Sequence, residues 1–332
     1  MRQFNNQHHK LYVGSHDGVC ALTSLDGGRT WEQGKVTPLA HAAARLTASP
    51  TSPKRAYLAA YESGVYRTDD GGLTWQHLSS YPSAYAHSVL VHPDDDQRVY
   101  VGSEPAAVFT SHDGGETWEE YAGFRAVPES SQWFFHSETR YSHVRDLRMA
   151  PHSPDVLYAG IEVGGVVRSR DGGKSWQQLH GTHDDIHCVN ISMARPGTVY
   201  VATARVPYRS DDEGEHWELI NSGLQRPYTL HIAAAPDDAD LVLVTVSDNS
   251  RRQNPQLYRS TNGGREWKLI EAVGSGDDMV VAIDWDANNP QRVYAGTDGG
   301  RIYCSGDRGE SWEQVPVSLA TVAVGALIVG PG

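Results

Sequence analysis

Apolar residues along this chain fall in short runs broken by turn residues rather than in long helical stripes. One stretch shows the pattern in full. Ser88–Val91, Arg98–Gly102, Ala107–Ser111 and Thr117–Tyr121 read as four short strands, counted from the inner edge of a sheet outwards. Between the third and fourth strands lies Ser111-His-Asp-Gly-Gly-Glu-Thr-Trp118, and close variants of that phrase occur seven times, ending at Trp31, Trp75, Trp118, Trp176, Trp217, Trp267 and Trp312. The tryptophans stand 44, 43, 58, 41, 50 and 45 residues apart. Asp-Gly and Gly-Gly supply the positive φ of a tight turn, and the aspartate can accept hydrogen bonds from backbone amides across it. The tryptophan then buries a large area at a fixed point of each unit. A four-stranded unit cannot bury both faces alone, so seven of them are expected to stack and close into a ring.

The phrase resembles the Asp-box, or bacterial neuraminidase (BNR), repeat, and the resemblance covers essentially the whole chain. That repeat superfamily takes in sialidases, xyloglucan-cleaving glycosidases, sortilin-type receptors and photosystem assembly factors, and the sialidase-like and assembly-factor-like propellers are the expected relatives. The resemblance implies an all-β, seven-bladed β-propeller of four-stranded antiparallel blades, with the box at a hairpin turn. Closure is legible at the ends. Lys10–Gly14 matches the second strand of a blade, as in Val99–Gly102, and the inner strand it lacks matches Val322–Val329. A single domain over residues 1–332 is therefore expected, with blade 1 formed by 10–34 plus 321–330.

Composition narrows the class of partner. The net charge of −13 argues against a nucleic-acid or anionic-membrane partner, since both need a basic footprint. No run of 18 apolar residues and no signal-peptide core in the first ten residues are present, so a soluble cytoplasmic protein, monomeric or a small homo-oligomer, is expected. Cys20, Cys188 and Cys304 share no metal spacing and read as buried, reduced thiols.

Candidate chemistry lies on the face opposite the boxes, where the loops between blades and those after each second strand open. Counting six residues back from the proline that ends each inner strand gives Ala44, His87, Arg145, His187, Leu230, Val281 and Gly325 for blades 2 to 7 and then 1. In blade 5 Met193 stands in the proline's place. His143 lies two residues before Arg145, on the same strand face. The loops after the second strands give His16, Tyr61, Glu104, Glu162, Ala204, Ser247 and Asp298, with Glu62 and Arg205 one residue further on. Polar residues thus concentrate at blades 3 to 5. The longest connection also enters blade 4 and carries the aromatic segment Ser131–Tyr141, with Trp133, Phe134, His136 and Tyr141.

Imidazoles beside carboxylates suit a divalent transition metal such as zinc, iron or manganese. The candidate ligands are His87, His143 and His187, with His183 nearby and Glu104 or Glu162 completing the set. Arg145, Tyr141, Glu104 and Glu162 are the candidate catalytic groups, Arg145 as a clamp for an anionic substrate group. Trp133, Phe134, His136, Asp298, Glu62 and Arg205 are candidate substrate contacts. A metal-free acid–base cluster and a plain polar channel mouth explain the same residues. The leading functional expectation is a hydrolase or lyase acting on a small polar or anionic substrate, carbohydrate included; the other is a non-catalytic scaffold binding a protein or glycan on the same face. His8, His9, His92 and His152 are expected at the solvated surface.

Overall fold

Each repeated phrase folds into a turn tied down by its own side chains. In blade 3, Ser111 Oγ donates to Asp113 Oδ1 at 2.8 Å and accepts from the Gly115 amide at 2.8 Å. The amide and hydroxyl of Thr117 donate to the two oxygens of Asp113 at 2.8 and 2.6 Å. Gly114 and Gly115 both take positive φ, which explains the glycine pair. Trp118 Nε1 then donates to the Gly115 carbonyl at 3.1 Å, and its ring packs edge-on against Tyr81 of the preceding blade.

The computed structural model describes residues 8–135, 141–271, 273–274, 276–317 and 319–330. It is all-β, with seven antiparallel sheets, six of four consecutive strands and the first of five, in which Thr37–Pro38 adds a short pairing to Gly18–Ser24. Blade 2 starts at Ala43–Ala48, blade 3 at Ala86–His92, blade 4 at His143–Ala150, blade 5 at Ile186–Ile191, blade 6 at Tyr228–Ala235 and blade 7 at Val280–Trp285, each of these being the innermost strand. Blade 1 takes its inner strand from Leu327–Val329, which pairs with His9–Gly14 as Leu11 opposite Val329 and Val13 opposite Leu327. That strand is shorter than the expected Val322–Val329, because Val322 and Gly325 spend their amides on the carbonyls of Thr297 and Val281 in blade 7. The outer strands are only two or three residues long.

The core is distributed between blades. Tyr57, Ala59, Val65 and Leu78 of blade 2, for example, pack on Val89, Val91, Val99 and Val101 of blade 3. The second-strand tyrosines add a polar tie, as when Tyr57 Oη donates to the Gly114 carbonyl in the next blade's turn at 3.1 Å. His9 is buried rather than solvated; its Nδ1 meets Tyr294 Oη at 3.0 Å, sealing blade 1 against blade 7. Cys20 and Cys188 are buried and Cys304 is half-buried, all as free thiols. Among the described residues no helix is long and apolar enough to cross a membrane.

One irregularity recurs in every inner strand of blades 2 to 7. Pairing with the second strand slips by one residue at Ala44, His87, Arg145, His187, Leu230 and Val281. A β-bulge re-aims the extra side chain and breaks the alternation of faces. In blades 2, 3, 4 and 6 the bulge therefore sits six residues before the strand-ending proline, and in blades 3, 4 and 5 it delivers His87, Arg145 and His187 to the axis of the ring.

Candidate functional site

The upper mouth of the axial channel is a cavity of about 280 Å³ lined by Tyr61, His87, His143, Arg145, Glu162 and Arg252, among others. Its side chains hold one another in chains of contacts. The rings of His87 and His143 stack with centroids 3.9 Å apart. His87 Nε2 lies 3.1 Å from Glu104 Oε2, and His143 Nε2 lies 3.1 Å from Glu162 Oε2. Arg145 donates to the same Glu162 oxygen. The rings of Tyr61 and Phe135 wall the pair, 5.2 Å from His87 and 5.5 Å from His143 respectively.

His187 belongs to an adjoining group. Its Nδ1 donates to the Thr229 carbonyl at 2.6 Å. The neutral ring consequently carries its lone pair on Nε2, where the Tyr228 hydroxyl stands at 3.4 Å and Asp185 Oδ1 also at 3.4 Å. The ligand-capable residues thus form two triads, His87–Glu104–His143 and Glu162–Asp185–His187, each with its donor atoms within 4.8 Å of one another. The three histidines, expected in one ligand set, fall into these two groups, with the His143–Glu162 contact as the bridge.

Burial lowers the pKa of His87, His143 and His187, and neighbouring charge adds to it, from His143 on His87 and from Arg145 on the other two. All three are therefore neutral near pH 7. If His143 Nε2 donates to Glu162, its lone pair sits on Nδ1, which is buried, has no hydrogen-bond partner and faces Glu104 Oε2 at 3.8 Å. Asp185 repeats the situation, since its buried Oδ1 lacks a hydrogen bond and faces the lone pair of His187. With that His143 tautomer, acceptors face one another in both places, an arrangement that a cation relieves. These residues are compatible with metal coordination.

Other sequence candidates lie further out. His183 is half-buried, accepts the Asp185 amide on Nδ1 at 3.1 Å and stands beside Asp184, outside both triads. Trp133 donates to Gln178 at 3.2 Å and shares a separate cleft with Tyr141, which is exposed. Phe134 is also exposed, and Phe135 is the insertion residue that touches the histidines. His136 lies outside the described residues. Glu62 pairs with His41 at 3.2 Å, and Arg205 is exposed. Asp298 accepts the Met279 amide and an Arg252 nitrogen, which brings Arg252 to the rim of the mouth. Asp185 and Tyr228 were missed as site residues. Their only signal in the sequence is nearness to His187 and to an inner-strand entry.

Among curated proteins, the chain is 25% identical over 304 residues to the xyloglucanase Xgh74A of Acetivibrio thermocellus, covering 83% of this chain and 32% of that protein. The chain thus spans about a third of the length of that relative. Among solved structures it superposes on the GH74 xyloglucanase of Xanthomonas campestris with a TM-score of 0.70 at 16% identity, over 96% of this chain and 52% of the other. A structure described as YCF48 bound to D1 peptide gives a TM-score of 0.61 at 17% identity, over 87% and 92%. At those identities the two structures speak for the fold alone. The expected assignment to a BNR/Asp-box, sialidase-like repeat propeller is corrected by these matches, because the ring resembles the GH74 xyloglucanase fold and the matching family is a different one. The family model for Sortilin-Vps10, described as sortilin, neurotensin receptor 3, matches residues 21–122 and 164–273, more than half of the chain, and the chain belongs to that family.

Proposed function

We propose that the upper mouth is the active site of a metal-dependent enzyme that cleaves a carbohydrate or a related small polar substrate by hydrolysis. The observation that carries the reading is the pair of ligand-capable triads at one mouth, His87–Glu104–His143 and Glu162–Asp185–His187, in which His143 Nδ1 and Asp185 Oδ1 are buried without a hydrogen-bond partner among the described residues. A divalent zinc, iron or manganese ion held by the His87–Glu104–His143 triad would supply a polarised water. Glu162, gripped by Arg145 and His143, is the carboxylate positioned to take or return a proton, and Tyr61 is a flat wall against which a sugar ring can lie. Arg145 spends one terminal nitrogen on Glu162, so only its remaining donors are left for a substrate anion. The 25% identity to a xyloglucanase makes xyloglucan the first substrate to try.

The test pairs elemental analysis of untagged protein, reconstituted with each metal, with reducing-sugar release from xyloglucan. Wild type should carry stoichiometric metal, and His87→Ala and His143→Ala should each lose it together with at least about 99% of the activity, as expected when a site loses a ligand. Wild type without stoichiometric metal sinks the metal reading, and metal without cleavage of any glycan sinks the hydrolase reading. A second reading, a scaffold that binds a peptide at the same mouth, draws on the near full-length likeness to YCF48 bound to D1 peptide. It requires saturable peptide binding by a protein that cleaves nothing.

A further inference from the structure

The lower end of the channel, on the face of the repeated turns, opens into a second cavity of about 500 Å³. It is lined by Arg148, Asn190, His231, Asp284 and Trp285, from the inner strands of blades 4, 5, 6 and 7. Arg45 and Asp146, both buried, separate it from the upper mouth. Arg45 donates to the carbonyls of Val324 at 2.6 Å and His187 at 3.1 Å, and its Nε stands 3.6 Å from Asp146.

The polar groups here are held from one side and free on the other. Arg148 Nε is fixed by Asp146 at 3.2 Å and by the Val189 carbonyl at 3.1 Å. Its two terminal nitrogens have no partner among the described residues, and the side chain is 38% exposed to the cavity. Asn190 accepts the Ala234 amide on Oδ1 at 3.0 Å, which fixes its flip and leaves its NH₂ as a free donor. His231 is 5% exposed and donates from Nε2 to the Ile283 carbonyl at 3.2 Å. Its neutral ring therefore presents a lone pair on Nδ1, which is buried and unpartnered. Asp284 Oδ2 accepts the Val329 amide at 2.7 Å. Burial pushes the Asp284 carboxyl up to about 7, so near neutral pH it repels an incoming anion only in part.

A guanidinium fork with an amide donor in the same lining matches a carboxylate, and the unpartnered imidazole nitrogen of that lining matches a hydroxyl donor. We propose that the lower mouth is a binding site for a small hydroxy-carboxylate of the sugar-acid class, with its carboxylate on the Arg148 fork and Asn190 and a hydroxyl donating to His231 Nδ1. The indole of Trp285 supplies the apolar wall, and the volume falls in the range of small-molecule pockets. The site is separate from the upper mouth and does not depend on the hydrolase reading.

Calorimetric titration with D-glucuronate tests it, with glucose and inorganic phosphate as the two partial probes. D-glucuronate should bind saturably at one site per chain, and both partial probes should bind at least about tenfold more weakly. Arg148→Gln should weaken D-glucuronate about tenfold or more, and so should Arg148→Lys, which keeps the charge and loses the fork. His87→Ala, at the other mouth, should leave the affinity unchanged. If Arg148→Gln does not fold, the lysine variant and Asn190→Leu carry the test. Absence of saturable D-glucuronate binding overturns the proposal, as does binding that His87→Ala abolishes and Arg148→Lys leaves intact. Equal binding of phosphate would make the site one for anions in general and overturn the sugar-acid assignment.

Discussion

Arg45 defines the waist of the molecule, and its neighbour Gly325 shows how little room the waist has. Gly325 sits at φ +67°, and a Cβ there would overlap the Arg45 guanidinium. That guanidinium cannot swing aside freely, because it is anchored on the Val324 and His187 carbonyls and next to Asp146. Gly325→Ala should therefore combine backbone strain with crowding. Gly27, at φ +78° with nothing within 4 Å of an added Cβ, isolates the strain alone. Urea denaturation of the two alanine variants should place Gly325→Ala below Gly27→Ala by roughly 1–3 kcal/mol. Equal losses would mean that Arg45 relaxes and that the waist is softer than its hydrogen bonds imply.

The blade carries its stability in the tryptophan and its shape in the aspartate of the repeated turn. Trp176 is buried against Phe124 with ring centroids 5.2 Å apart and donates to the Gly173 carbonyl at 2.8 Å, so its removal opens a cavity in the core of blade 4. Trp176→Ala should cost roughly 3–5 kcal/mol by chemical denaturation. Asp113→Ala, which removes turn hydrogen bonds at the rim, should cost less and leave metal content at the upper mouth unchanged. Loss of metal in a well-folded Asp113→Ala protein would contradict the separation of the two faces. These features were legible because Asp-Gly-Gly and tryptophan act locally, at fixed distances along the chain. The alignment on proline found the bulge positions for the same reason, since each inner strand runs the same length from bulge to turn. Spacing alone could not show that a bulge interrupts the strand at Arg145, so alternation misstates how His143 and Arg145 come to share Glu162. Nor could it pair His187 with Tyr228, which belongs to the next blade. The lower mouth leaves no such signal, because Arg148, Asn190, His231 and Asp284 come from the inner strands of four different blades.

At the scale of the ring, seven blades converge on a narrow axis and force polar side chains together out of water. Four axial histidines, His87, His143, His187 and His231, have folded-state pKa values below the ordinary 6.5, with desolvation as the leading cause for each. The consequence is a pH dependence whose sign is fixed. Between the ordinary value and the lowered one, the unfolded chain binds protons that the folded ring excludes, so stability falls as pH drops below about 6.5. Each histidine contributes at most ~1.4 kcal/mol per pH unit in that window, and above it the contribution is fully present. The metal binding proposed for the upper mouth would follow a different window. The folded ring keeps His87 and His143 unprotonated well below the usual histidine range, so metal content of the folded protein should hold steady from pH 7.5 to 5.5 while its melting temperature declines. Parallel melts and elemental analysis across that range separate the two effects. A melting temperature that is flat from pH 7 to 5 would show that the axial histidines titrate as if solvated, and metal lost in step with a midpoint near 6.5 would show the same for the upper mouth alone.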